Sequence, residues 1–397
     1  MRGRLGALGD AFDLLAAFGE AGFLFERAGL GVSTSGAPVA AASPSAVTGM
    51  LSEIDRAIGG GGKTVAVGAL PFSGDAGAAL SIASRTVRRS ATGETLRIEI
   101  GDHASAPLER AAGIPGPSEP FGPAQLHEEP PARTYAHGVA AAVERIGTSD
   151  LRKVVLARTI EVDAGRPLDA RRLAHRLRAV NPDAYTFAST TTTGLLVGAS
   201  PELLVSRFGR EVRSNPLAGS AARSGDPVED RENAARLLAS AKDHEEHAIV
   251  VDAIARTLEP LCRELSWDPE PVVLETPNVW HLSTRFRGLL REPAPGAVEL
   301  VRALHPTPAV GGEPREAALA MIDELEPFDR GSYAGPVGWT DAIGDGEWAI
   351  ALRCAELRGE RATLYAGAGI VRGSEPDAEV DETERKFRAF LDALRWG

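Results

Sequence analysis

From Tyr135 onward the apolar positions fall into short, well-bounded periods. "YAHGVAAAVERIGTS" has helical spacing, and "LRKVVLARTIEVD" is a β-branched run that predicts a strand. "DARRLAHRLRAVNP" predicts a helix with late basic residues and a proline stop. "YTFASTTTTGLLVGASPELLVSRFGREVRSNPLAGS" predicts several short strands with turn residues between them. Leu237, Leu238, Ala241, Ile249, Val251, Ile254 and Leu258 predict one long helix from about Pro227 to Leu265. The last third predicts a strand near "VVLETPN", a helix near "AVELVRAL" and strands near "WAIALRCAEL" and "RATLYAGAGI". A closing helix is predicted from Pro376 to Trp396. Strands and helices mix without strict βαβ alternation, which favours α+β over a parallel doubly wound sheet.

The first third is poorer in motifs. "MRGRLGALGDAFDLLAAFGEAGFLF" starts basic, but Asp10, Asp13 and Glu20 interrupt its apolar part. It predicts a surface helix rather than a signal peptide. "AIGGGGKTVAVGALPF" predicts a glycine turn leading into a strand, because Lys63-Thr64 lacks the spacing and leading strand of a phosphate loop. Residues 105 to 134 are rich in proline and glycine and predict a long surface connection.

Composition narrows the function classes. The chain has 397 residues, 43% hydrophobic and 25% charged, as soluble globular proteins do. Length alone suggests two or three domains. A net charge of −12 disfavours nucleic acid and anionic membrane as partners. A small anionic substrate would need local cations or a metal. Cys262 and Cys354 form no CxxC pattern and are expected as buried free thiols. No apolar run reaches the roughly 18 residues of a membrane span. A cytoplasmic protein is expected.

"KDHEEHAIVVDAI" carries five titratable residues in a row on a helical period. Asp243 and Glu246 are spaced to share one helix face. The histidines do not form HExxH, so zinc is disfavoured, and paired carboxylates suit a hard cation such as Mg²⁺. One such pair, taken alone, is an ordinary solvated face. A second pair, Glu379 and Glu382, opens the last helix, with Lys386 on the same face. Two helices with one pair each could build an all-oxygen site, although spacing does not bring them together.

The ordered segments "KVVLAR", "ASPELLVS", "PLAGS", "KDHEEHAIVVDAI", "HLSTRFRG", "LHPTPAVGG", "ALRCAEL" and "YAGAGIVRGSEPDAEVDETERKF" resemble the chorismate-utilising enzymes over about residues 135 to 395. The resemblance implies an α+β fold like that of anthranilate synthase component I, with large antiparallel sheets enclosing the site and helices outside. It implies one catalytic unit, with 1–134 as an N-terminal part of the fold and 135–397 as the chorismate-binding region. Within the family the chain is most similar to isochorismate synthases of the siderophore type. Salicylate synthases, which add pyruvate elimination, and aminating members are the alternatives. Isochorismate also feeds menaquinone synthesis. The resemblance suggests a monomer.

The implied residue roles follow. Lys153 is the expected base and Glu202 the expected acid for adding water at C2 of chorismate and expelling the C4 hydroxyl. Glu246 and Glu382, supported by Asp243 and Glu379, are expected to hold Mg²⁺. Arg353 and Lys386 are expected anion contacts. Gly219, Ser220, Ala309 and Gly367 are expected to line the substrate, and His281 to lie near the transforming end of the ring. His244 and His247 are expected as supporting or surface groups, and Cys354 as packing. Ala309-Val310 is apolar, whereas relatives that eliminate pyruvate tend to carry threonine at the second position. Val310 has threonine's shape without its hydroxyl. Leucine is expected there in the closest relatives, so the chain departs from them at this residue.

Overall fold

A computed structural model describes residues 3–8, 12–19, 22–74, 77–101 and 124–395. Among these, nineteen strands join in one antiparallel network, and three more form a small second sheet. The fold is α+β, as expected.

The central strand is Lys153–Asp163. It is buried from Lys153 to Ile160, so Val154–Ala157 reads as an apolar run without alternation, and Arg158 and Thr159 beyond it are buried as well. It pairs with Arg361–Ile370 along nearly its whole length, and its first two residues pair with Gly312–Glu313. Helices Ala132–Thr148, Arg315–Leu325 and Pro376–Arg395 pack on this strand pair. Tyr135, Val139, Ala142 and Ile146 recur at helical spacing and form the buried face of the first of these helices.

The small sheet contains Leu217–Ala222, Val279–Ser283 and Val272–Glu275, with helices Pro227–Ala239 and Ala241–Leu258 packed on it. The predicted single helix is therefore two. Ser240 leaves helical geometry at φ −77° and ψ 109°, and its hydroxyl accepts from Asp243 N at 3.3 Å, capping the second helix. That helix ends at Leu258, and Pro260 lies in a short 3₁₀ turn. Leu265 belongs to the following strand, Cys262–Trp267. Helical period alone did not register a cap inside the run.

The predicted N-terminal surface helix is also corrected. Gly3–Leu8 is a strand paired with Thr95–Ile100. Among the described residues of this segment only Leu14–Ala17 is helical, and Leu14 and Leu15 are fully buried. Asp13 caps that turn through Leu15 N and pairs with Arg178, whereas Asp10 and Glu20 lie outside the described residues. The glycine turn does lead into a strand, Val65–Ala69. Of the proline-rich connection, 105–123 lies outside the described residues. Its far end is not loop: Gln125–Glu128 pairs with Ile160–Asp163, and a helix begins at Ala132.

Strands from the first third bond directly to later ones. Phe23–Glu26 pairs with Thr186–Ser189, and Val65–Ala69 with Val337–Asp341. Both cysteines are buried free thiols. No described helix is long and apolar enough to cross a membrane.

Candidate active site

The strand pair Lys153–Asp163 and Arg361–Ile370 faces the small sheet across a cavity. It encloses about 610 Å³ of space free of atoms, counting the part open to solvent. All but three of the residues expected at the site line it. Of the three, Lys153 contacts the lining Glu246, Asp243 lies against the lining Gly219, and Glu379 is one helical turn from the lining Glu382.

Lys153 is fully buried at the start of its strand, and its Nζ lies 3.0 Å from Glu246 Oε1. Room for this ion pair comes from Gly369. A Cβ built there would sit 2.2 Å from Glu246 Oε1 and 2.9 Å from Lys153 Cε. The sequence reading singled out Gly367 and missed Gly369. Strand alternation could have found it, since residues two apart share a face. Gly369→Ala is expected to leave the fold intact, because the atoms it meets are ends of flexible side chains. Turnover is expected to fall by roughly 10²-fold as the pair is displaced. Comparing kcat with the thermal midpoint checks this, and a midpoint collapse with normal kcat would contradict it.

Glu202 sits between strands Leu195–Ser200 and Leu203–Phe208, not at a helix start. Burial pushes its carboxyl up to about 8, against the opposing pull of Lys153, Arg353 and Lys386. It therefore keeps its proton at neutral pH. His281 pairs across the small sheet with Ser220. Burial, with Arg353 and Lys386 beside it, pushes it down to about 3, so the ring is neutral. Arg353 Nη2 donates to His281 Nε2 at 2.9 Å. Since arginine only donates, the ring proton sits on Nδ1, which donates to Gly219 O at 3.1 Å. Arg353 itself has φ +49°, a left-handed backbone in a non-glycine residue, just before strand Cys354–Arg358.

Gly219 is a bulge between Ala218 and Ser220, with φ +75°. A Cβ there would lie 3.0 Å from Asp243 Cβ, so glycine serves both the conformation and the close approach. Lys386 Nζ donates to Gly367 O at 2.8 Å and to Glu382 Oε1 at 2.5 Å. Burial raises the Glu382 carboxyl, but Lys386 and a hydrogen bond from Ser220 outweigh it and hold the group below the usual carboxylate range. Burial and then Glu382 raise Glu379, which accepts from Lys242 Nζ at 3.0 Å. Burial likewise raises Asp243, with Glu246 and Glu382 adding to it.

The two helical acidic pairs thus approach closely enough to feel each other's charge. Among the described residues, no three His, Cys, Asp or Glu side chains converge as a ready metal cage. Glu246 and Glu382 nonetheless face the cavity from different helices. Two carboxylates beside open space form a donor set that fits Mg²⁺, which keeps waters and binds few protein oxygens.

His247 is buried against Thr284, its Nε2 2.8 Å from the hydroxyl. Burial, helped by Lys153, pushes it down to about 4. His244 is more exposed and bonds to Leu238 O. Val155, Arg330, Tyr333 and Leu352 also line the cavity, and the sequence reading assigned none of them. Ala309 and Val310 line it together, and Val310 is 2% exposed.

A model of the family described as chorismate binding enzyme matches residues 82–395. Isochorismate synthase DhbC of Bacillus subtilis is 47% identical over 272 residues, covering 67% of this chain and 68% of that protein. Isochorismate synthase EntC of Escherichia coli K12 is 44% identical over 266 residues, covering 67% and 68%. The solved structure of MenF, the menaquinone-specific isochorismate synthase from Escherichia coli, superposes with a TM-score of 0.86. Its identity is 26%, with 99% of this chain and 94% of that one covered. The chain belongs to the chorismate-binding enzyme family.

Proposed function

We propose that this protein interconverts chorismate and isochorismate with Mg²⁺ as cofactor, acting as a cytoplasmic monomer. Glu202 carries this reading: a buried carboxyl that keeps its proton to about pH 8, in the cavity that Glu246, Glu382, Arg353 and Lys386 also line. A proton donor of that kind suits the departure of hydroxide, which leaves poorly without one.

Water is deprotonated by Lys153 as its oxygen bonds to C2 of the ring. The C1–C2 double bond moves to C1–C6, and C5–C6 moves to C4–C5. The C4–O bond breaks as Glu202 delivers its proton, so one water enters and one leaves. In the reverse direction the deprotonated Glu202 is the base and the charged Lys153 the acid. Arg353 and Lys386 offer donors to the carboxylates of the dianionic substrate, which an acidic protein must draw in by local charge. Glu246 and Glu382 would hold Mg²⁺, with Asp243 and Glu379 behind them. Bound there, the ion would neutralise the glutamates and polarise the ring carboxylate.

Product identity separates this function from pyruvate elimination. Val310 is apolar and offers neither donor nor acceptor from its side chain. Incubation with chorismate and Mg²⁺ is expected to give isochorismate in reversible exchange with chorismate. Little salicylate is expected, and no aminated product when ammonium is supplied. Chromatographic identification of the products checks this. Salicylate and pyruvate rising together as main products would make the chain a salicylate synthase.

A further inference from the structure

Arg330 faces the cavity, yet its hydrogen bonds go to the protein. Its Nε donates to Glu326 Oε2 at 2.8 Å and its Nη2 to Glu326 Oε1 at 2.5 Å. Nη1 donates to Val310 O at 2.8 Å, and Nη2 also donates to Val155 O at 2.6 Å. The side chains of Arg330 and Glu326 are each 3% exposed. Glu326 Oε1 also accepts from Ala157 N at 2.7 Å. The guanidinium carbon stands 4.2 Å from the ring centroid of Phe72, whose N–H donates to Gly331 O at 2.9 Å.

These contacts exclude the obvious role for a cavity arginine. Gripping a substrate carboxylate needs a free pair of parallel N–H groups. Here the paired face is taken by Glu326, which also cancels the charge, and most remaining N–H groups are spent on backbone. What the pair does is join two chain segments. Val155 and Ala157 belong to the strand that begins with Lys153. Val310 belongs to the loop that presents the apolar lining beside the substrate. Val155 N donates to Gly311 O at 2.7 Å, so the same two segments are already in contact and Arg330 fixes their separation.

We infer that Arg330, held by Glu326, is a positioning residue that sets the distance between the Lys153 strand and the Ala309–Val310 loop, and thereby both the turnover rate and the product at which reaction stops. The inference rests on the proposed function for its kinetic part. Misplacement by about 1 Å is enough to cost roughly 10²-fold in rate. Lysine cannot replace the guanidinium, because a single ammonium cannot span Glu326 and two carbonyls on one plane.

The test compares Arg330→Lys, Arg330→Met and Glu326→Gln with the parent protein. Steady-state kinetics on chorismate, the ratio of salicylate plus pyruvate to isochorismate, and amide hydrogen exchange are measured for each. Arg330→Lys is expected to lower kcat by roughly 10–100-fold with KM within about threefold of the parent. The salicylate share should rise, and exchange should quicken in segments 153–158 and 305–313 but not elsewhere. Glu326→Gln keeps an oxygen for Ala157 N and Arg330, so it should fall between parent and Arg330→Lys. It is the informative variant if neither Arg330 substitution folds. A raised KM with unchanged kcat would make Arg330 a substrate contact and overturn the inference. So would parental kcat, product ratio and exchange in a folded variant. If the parent converts no chorismate, the proposed function fails, whereas hydrogen exchange still decides whether Arg330 fixes the two segments.

Discussion

Lys153→Ala is expected to lower kcat by roughly 10²–10⁴-fold, the range for losing acid–base assistance. That corresponds to about 3–5 kcal/mol of barrier. Lys153 is fully buried and contacts Glu246 at 3.0 Å, so the substitution also leaves that carboxylate without its partner. Circular dichroism and the thermal midpoint therefore have to accompany the rate. Glu202→Gln keeps shape and hydrogen-bonding capacity but has no proton to give, and a loss of similar size is expected. The pH profile adds a sign. Burial raises Glu202 to about 8, so the acid form persists through neutrality and is lost above it. Parent kcat/KM should fall as pH rises through about 8, and Glu202→Gln should lack that limb. A folded Lys153→Ala enzyme with near-parental kcat would remove Lys153 from the role of base.

EDTA is expected to abolish turnover and added Mg²⁺ to restore it. The motivation is charge: Asp243, Glu246, Glu379 and Glu382 feel one another, and burial with mutual repulsion raises Asp243 and Glu379. Lys153, Lys242 and Lys386 pair with three of the four carboxylates, Glu246, Glu379 and Glu382. A dianionic substrate adds two more negative charges, which a divalent cation is suited to offset. Glu246→Gln and Glu382→Gln should each cost most of the activity while staying folded. Calorimetric titration with Mg²⁺ in the presence of substrate should show weakened binding in both. Full turnover in EDTA would take the metal out of the mechanism.

Residues that announce themselves by local pattern were the legible ones. Lys153, Glu202, the two acidic pairs and Lys386 sit in compact segments whose order along the chain points to the family, and they surround or back one cavity. The α+β class followed from mixed strand and helix periods, and its antiparallel sheets from the family resemblance. What local pattern missed was decided by distant partners. Arg330 lies in the polar turn "FDRGSY", where an arginine reads as surface. Its burial depends on Phe72, Val155 and Val310, far away in sequence. The N-terminal segment reads as one helix because short strands interrupted by glycine and a buried helical turn together mimic an amphipathic period. The break at Ser240 is a single capping hydroxyl inside an otherwise helical run.

Arg353 bears on engineering. A left-handed arginine costs on the order of 1–3 kcal/mol relative to a relaxed backbone, and glycine would relieve that cost. Selection of variants for heat resistance alone would therefore favour Arg353→Gly. Such variants would shed the backbone cost while losing the guanidinium that fixes the His281 tautomer and faces the cavity. Robustness and activity pull this position in opposite directions. A stability screen on this scaffold has to hold Arg353 constant, or it will enrich well-folded proteins that no longer turn over.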